Sequence, residues 1–278
     1  MTNLNLVKKG VTHAGRFHTD DVFCTVLLKK LIPSIFIERT NECEYDDTFD
    51  DVIVYDIGRG EFDHHQLVRE INEFGQPYSA FGKLWRAFGR ELLEAQGFTK
   101  IEEAFNKFNR FYVSKVDEGD NNSYKYVKHF MENNYIVDFN LRWYEESNKS
   151  NDNQFNCAVE FATKLFDNWL RLLYAQIEMS VIEDEIWNEA IDNMVDGIIT
   201  LKENINWRLY LKKQNDPGIK LVICESTRGG YSVTSVNENE IEILDSEYLV
   251  FIHPGKFMGM ANTYEEAVLA ARYTLNLK

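Results

Sequence analysis

Positive charge is in deficit in this sequence: 30 lysines and arginines against 45 aspartates and glutamates leave a formal net charge of −15. A chain so acidic gains no counterion-release affinity for long duplex nucleic acid, which requires a basic face. Cysteine is scarce as well. Cys24, Cys43, Cys157 and Cys224 are scattered without a CxxC pair, so neither a zinc ribbon nor a disulfide framework is expected. They read as buried thiols of a cytosolic protein. No apolar run reaches membrane-spanning length, and the opening MTNLNLVKKG lacks the apolar core of a signal peptide. The expectation is a soluble cytoplasmic protein with no membrane partner. There is no GxxxxGK[ST] loop, so nucleotide-driven work is not expected.

What is present is a chain of 278 residues, 44% apolar and 14% aromatic, enough to bury a substantial core in one large domain or two unequal ones. Residues 5–12 read as a first strand, and DDVFCTVLLKKLI (20–32) places apolar residues at helical spacing behind an acidic start. SIFIERT (34–40) and DVIVYDIG (51–58) read as strands, the second rich in Val and Ile as buried parallel strands are. Strand, helix, strand, strand predicts an α/β domain with a mainly parallel sheet. From Tyr78 to Asn133 the pattern turns helical, SNKSNDNQ (147–154) reads as an exposed polar loop, and long amphipathic patterns run from Phe155 to about Asn193.

Beyond Val195 the character changes to short strands, GIITLK, WRLYLKK, IKLVICES, YSVTSV and YLVFIH, before a closing helix over 263–275 with Thr263 and Glu266 as a capping box. The expected organisation is an N-terminal α/β domain with added helices over 1–195 and a smaller C-terminal α+β domain over 196–278.

The chain holds six histidines, and four of them lie at two predicted strand ends beside carboxylates. His13, His18, Asp20 and Asp21 follow the first strand in THAGRFHTDD; Asp56 ends another in VYDIG, with Asp63, His64 and His65 a few residues on in FDHHQ. In open α/β sheets ligands collect outside the carboxyl ends of strands. One such residue is ordinarily a cap or turn residue; this many at two neighbouring strand ends point to a metal or catalytic site. His and Asp without cysteine suit Mn²⁺, Mg²⁺, Co²⁺ or Fe²⁺ better than a structural zinc. A carboxylate between the two histidine sets could bridge two ions, as in binuclear hydrolytic sites. His129, in YVKHFMENN beside no other motif, reads as structural.

In order along the chain, THxGxFHxDD, VYDIG, FDHHQ and VDEGDN (116–121) resemble the motifs of the DHH phosphoesterase superfamily, most closely its Myg-type branch of metal-dependent hydrolases. FIHPGKFMGMANTYEEAVLAA (251–271) resembles that branch's closing segment, so the likeness covers nearly the whole chain. The resemblance implies two divalent cations, with Mn²⁺ the first expectation. One would be held by His13, His18 and Asp56. The other would be held by Asp20, Asp56, His64 and an acidic residue of VDEGDN; Asp117 and Asp120 both qualify, and Asp117 is favoured. Where many DHH enzymes carry an aspartate, this chain has His18. His65 is then left over as proton donor or phosphate contact, with Asp63 orienting a ring.

In the C-terminal domain, STRGGY (226–231) offers Arg228, Gly229 and Gly230 as a phosphate-receiving turn, although paired glycines also make plain hairpin turns. His253 and Lys256 in HPGKF are further substrate-binding candidates. The implied activity is a two-metal phosphoesterase acting on phosphodiester or phosphoanhydride bonds, as a 3'-5' exonuclease on short RNA or DNA or as a small-nucleotide phosphodiesterase. The expected partner is a small phosphate ester or a short single-stranded oligonucleotide, with a homo-oligomer left open. The alternative is a non-catalytic metal or nucleotide sensor on the same fold.

Overall fold

A computed structural model describes residues 2–45, 49–121, 135–145, 151–213, 218–237 and 239–277. It divides into two compact units, Met1–Glu178 and Met179–Lys278. The expected edge at residue 195 falls just past a helix that the second unit claims. His129 lies outside the described residues. No helix among those described is long and apolar enough to cross a membrane.

The first unit is built on a parallel three-stranded sheet in the order β2-β1-β3, from β1 (Lys9–His13), β2 (Phe36–Thr40) and β3 (Val52–Val54). Register pairs His13 with Thr40 and Val11 with Val54, so the sheet ends at His13 on one strand and runs on into Tyr55 and Asp56 from the other. Helix α1 (Thr19–Leu31) carries Asp20 and Asp21 in its first turn and Lys29 and Lys30 in its last, signs that complement the helix dipole. It is buried from Thr19 to Leu28 and packs against α2 (Ala80–Ala95) and α5 (Asn151–Ile177). Its acidic start is thereby carried into the interior rather than into solvent.

Helix α3 (Ile101–Phe108) continues through a π-helical turn (Asn109–Val113) into α4 (Ser114–Asn121). The core is strongly aromatic: Trp85 stacks on Phe108 at 4.3 Å between centroids, and Tyr112 on Trp169 at 4.5 Å. SNKSNDNQ departs from its loop reading where it is described: Asn151 to Gln154 form the first turn of α5. Polar, amide-rich composition is compatible with an exposed first helical turn, whose backbone N–H groups need no intrahelical partner.

The second unit places α6 (Ser180–Asp192), α7 (Trp207–Lys213) and α8 (Tyr264–Thr274) around a five-stranded sheet in the order β4-β5-β6-β8-β7. Its strands are β4 (Ile198–Leu201), β5 (Leu221–Glu225), β6 (Tyr231–Ser235), β7 (Phe251–Ile252) and β8 (Met258–Ala261). Among the described strands of this sheet only the β4–β5 pair is parallel. WRLYLKK, expected as a strand, is helix α7, because Trp207 and Tyr210 are both buried against this unit's core at i, i+3 spacing. The capping box at Thr263 and Glu266 forms as expected.

Candidate metal centre

Five segments of the first unit converge just beyond the carboxyl ends of β1 and β3. β1 delivers His13. The loop after it and the first turn of α1 deliver His18, Asp20 and Asp21. β3 runs into Asp56, the following loop carries Asp63, His64 and His65, and α4 contributes Asp120. His13 Nε2 lies 3.3 Å from Asp21 Oδ2 and 3.2 Å from Asp56 Oδ2. His64 Nε2 lies 3.1 Å from Asp56 Oδ1, 3.3 Å from Asp120 Oδ2 and 3.6 Å from Asp20 Oδ2. Three overlapping triads could each hold an ion: His13, His18 and Asp56; Asp56, His64 and His65; and His18, Asp20 and Asp120.

These contacts are close in distance without being aligned as hydrogen bonds. His13 Nε2, Asp20 Oδ1, Asp21 Oδ2, both Asp56 carboxylate oxygens, His64 Nε2 and Asp120 Oδ2 are all buried with no hydrogen-bond partner. Buried polar atoms left like this are expensive. Atoms that share a cation at about 2.1 Å stand roughly 3.0–3.4 Å apart in tetrahedral or octahedral geometry, close to the spacing seen here. The donor set, imidazole with carboxylate and no thiolate, fits a hard or borderline divalent ion.

Asp56 adds backbone strain. Its φ is +54° and that of Arg59 is +61°, values uncommon outside glycine and typical of residues held in place for a purpose.

The electrostatics favour bound protons at every shifted group here but one. Burial would suppress charge on His13 and His64, but the carboxylates of Asp56, Asp21, Asp20 and Asp120 outweigh it and raise both imidazoles to about 9. Burial, reinforced by Asp20, pushes Asp120 up to about 9, and burial also raises Asp20 and Asp21. Asp56 is the exception: burial works against its charge, yet the adjoining His13 and His64 rings hold its carboxyl below the usual range. A cluster that holds protons this firmly is one from which divalent cations would displace them.

Asp117 and Asp120, both candidates from the sequence, part company here. Asp117 is fully buried, accepts from the Ser79 main-chain N–H at 2.9 Å, the Ser79 hydroxyl at 2.7 Å and the Asn72 amide at 2.9 Å, and faces Gly82, where a Cβ would overlap its carboxylate. Burial raises it to about 6 despite these donors. Asp120, one turn later, faces His64. Asp117, favoured from the sequence as the fourth-motif ligand, thus has its carboxylate engaged by Ser79 and Asn72, whereas Asp120 is the one beside His64.

Asp63 does orient a ring. It accepts from His65 Nδ1 at 2.8 Å, the His65 main chain at 3.0 Å and the Arg59 main chain at 2.7 Å. Burial opposes its ionisation, but these donors hold it well below the ordinary aspartate range, and it raises His65 in return.

Several supporting residues escape sequence reading. Lys83, on α2 and 4% exposed, donates to the Asp63 carbonyl at 2.9 Å. Asn140 grips Phe17 through both its amide and carbonyl groups, accepting from Phe17 N and donating to Phe17 O just before His18. Arg39 donates to the Gly15 carbonyl and lies 4.4 Å over the Phe155 ring. Asp21 adjoins Asp20 in the sequence, so its partner His13 was visible but the contact was not. For Lys83, Asn140 and Arg39 no signal was available, since each acts on a distant main-chain group.

In the second unit the expected substrate contacts do not gather in one place. The Arg228–Gly230 turn joins β5 to β6, and β6 pairs there with Ala261; the 253–256 turn joins β7 to β8, beside Ser235 at the opposite end of β6. The Arg228 and Gly229 N–H groups donate to the Ser226 hydroxyl and carbonyl. Gly229 and Gly230 have φ of +88° and +71°, and a Cβ on Gly230 would overlap the Ala261 carbonyl, so local geometry accounts for both glycines. His253 Nδ1 accepts from Gly255 N at 3.0 Å, and Lys256 pairs with Glu242 at 2.8 Å.

The family model MYG1_exonuc, described as "Uncharacterised protein family (UPF0160)", matches residues 9–244. Three curated relatives align over nearly their full length. The MYG1 protein YER156C of Saccharomyces cerevisiae is 24% identical, with 98% of this chain and 97% of the relative covered. The MYG1 protein C27H6.8 of Caenorhabditis elegans is 22% identical over 96% and 94%, and the MYG1 protein of Dictyostelium discoideum 23% over 95% and 95%. No solved structure gives a significant match.

Proposed function

The chain belongs to the MYG1 family, and on that premise we propose that it is a divalent-metal-dependent phosphoesterase of DHH type. Its proposed substrates are short single-stranded RNA or DNA ends, cut as a 3'-5' exonuclease, or small nucleotides. The observation that carries this reading is the set of buried, unpartnered imidazole and carboxylate atoms around Asp56. The element exonuc in the family's label supports the substrate class, and the net charge of −15 favours small or single-stranded substrates over a long duplex.

His13, His18 and Asp56 would hold one ion, and Asp20, Asp56, His64 and Asp120 the other, with Asp56 between them; Mn²⁺ is the first expectation. Such ions lower the pKa of water and stabilise charge on a phosphoryl group. The remaining chemistry belongs to Asp63 and His65. Ionised Asp63 can only accept, so His65 Nδ1 carries the hydrogen of their 2.8 Å contact and Nε2 is the atom able to pass a proton to a departing oxygen. The His65 side chain is 54% exposed, which leaves the ring accessible to a ligand. Arg228 in the second unit is proposed as a phosphate contact through its side chain.

The test is a turnover screen with Mn²⁺ against bis-nitrophenyl phosphate, short oligonucleotides, dinucleotides and pyrophosphate. Metal-dependent release from at least one is expected. Tight Mn²⁺ binding with no turnover of any would replace the enzyme by a sensor.

A further inference from the structure

Asp21 has two carboxylate oxygens, and the fold of α1 explains only one. Oδ1 accepts the main-chain N–H of His18 at 3.0 Å, which caps the helix. Oδ2 is buried, has no hydrogen-bond partner and lies 3.3 Å from His13 Nε2. The residue as a whole is 0% exposed.

His13 makes the gap specific. Its Nδ1 lies 3.1 Å from the Ala14 carbonyl, which can only accept, so Nδ1 carries a hydrogen. In the neutral ring Nε2 therefore presents a lone pair, and it faces two carboxylate oxygens, Asp21 Oδ2 at 3.3 Å and Asp56 Oδ2 at 3.2 Å. In that neutral form, the one a cation would bind, Nε2 and the two carboxylate oxygens beside it are all acceptors with no hydrogen between them. A helix cap would need neither the second oxygen nor its aim at His13.

We infer that Asp21 is a direct ligand of the cation on the His13 side, its Oδ2 joining His13 Nε2, His18 and Asp56 Oδ2 in the donor set. The inference rests on the metal-centre reading above and assigns Asp21 a role that neither the spacing of the motifs nor the three triads gives it. A carboxylate ligand at this point adds a negative charge, so the site favours a hard divalent ion over a neutral, imidazole-rich one.

Asp21→Asn separates a ligand from a hydrogen-bonding residue. The amide keeps an oxygen to cap α1 and removes only the charge beside His13, so the cost to the fold is read separately in the metal-free melting temperature. It is a poor ligand for a divalent cation. Mn²⁺ titration of the full-length, metal-free chain by calorimetry and by electron paramagnetic resonance should show two ions for the parent. In Asp21→Asn one class should weaken at least about 10-fold, the scale seen when a metal site loses a supporting group, in a variant that the metal-free melting curve shows to be folded. Asp21→Glu, which restores the carboxylate, should recover part of the loss and keeps the test decisive if the Asn variant fails to fold. Equal Mn²⁺ affinities in parent and Asp21→Asn would overturn the role of Asp21 alone. A parent chain that binds no Mn²⁺ would overturn the metal centre itself.

Discussion

Adjacent histidines need not share a task, and His64 and His65 are held by different partners. His64 Nε2 is buried among Asp20, Asp56 and Asp120, whereas His65 Nδ1 is fixed by Asp63. His64→Ala should weaken Mn²⁺ binding in a titration. His65→Ala should leave metal content nearly intact and slow turnover about 10²–10⁴-fold, the usual range for a lost acid–base group, with less effect on nitrophenyl esters, whose leaving groups need little protonation. Loss of metal from both variants alike would make both residues ligands. The same cluster sets a pH signature. His13 and His64, both raised from 6.5 to about 9, and Asp120, raised from 3.8 to about 9, bind protons more tightly folded than unfolded. Their stabilising contribution is complete below the unfolded values and is lost as pH rises through about 9. Calorimetric melting of the metal-free chain should therefore fall from pH 6.5 to 9.5, and saturating Mn²⁺ should flatten the fall. A metal-free melting temperature that rises over that window would contradict the assigned shifts.

Helix α2 presents its first turn to the two acidic residues that matter most for α4 and α1: Ser79 to Asp117, and the Ala80 N–H to Asp20 at 3.2 Å. Gly82 lets Asp117 approach, and Asp117 lies one turn before Asp120 on α4. Gly82→Ala should push α4 away, cost roughly 1–3 kcal/mol of stability as overpacked cores do, and weaken Mn²⁺ binding although no ligand is changed. A variant equally destabilised but with full Mn²⁺ affinity would show that Asp117 does not aim Asp120. Elements were legible to different degrees for physical reasons. The start of α1 and the capping box of α8 could be read because their signals are local, the acids of one turn and the Thr263–Glu266 pair. WRLYLKK misled because its buried pair, Trp207 and Tyr210, fits i, i+3 helical spacing while the neighbouring residues also alternate as in a strand. VDEGDN showed two acids and no means of choosing, since the choice lies in what Ser79 and Asn72 already satisfy on Asp117.

At the scale of the molecule, an acidic chain folds its least tolerable charges inward: Asp20, Asp21, Asp56 and Asp117 are all at most 2% exposed. The histidine-and-carboxylate grouping could be read from the sequence because it sits at strand ends a parallel sheet brings side by side. The grip of Lys83, Asn140 and Arg39 on its loops could not, because a side chain that bonds a remote main-chain carbonyl leaves no pattern. The change of strand pattern after Val195 put an edge there, whereas the two compact units divide after Glu178 and Trp187 on α6 lies in the second unit's core. Central to the proposed function is that the buried, unpartnered atoms around Asp56 would hold two divalent ions. The direct measurement is the number of Mn²⁺ ions retained per chain after reconstitution and desalting, by mass spectrometric metal analysis, for the parent and for Asp56→Asn. Two ions in the parent, with both lost or loosened together in a folded Asp56→Asn, is the expected result; at most one ion in the parent, or two in the variant, would contradict it.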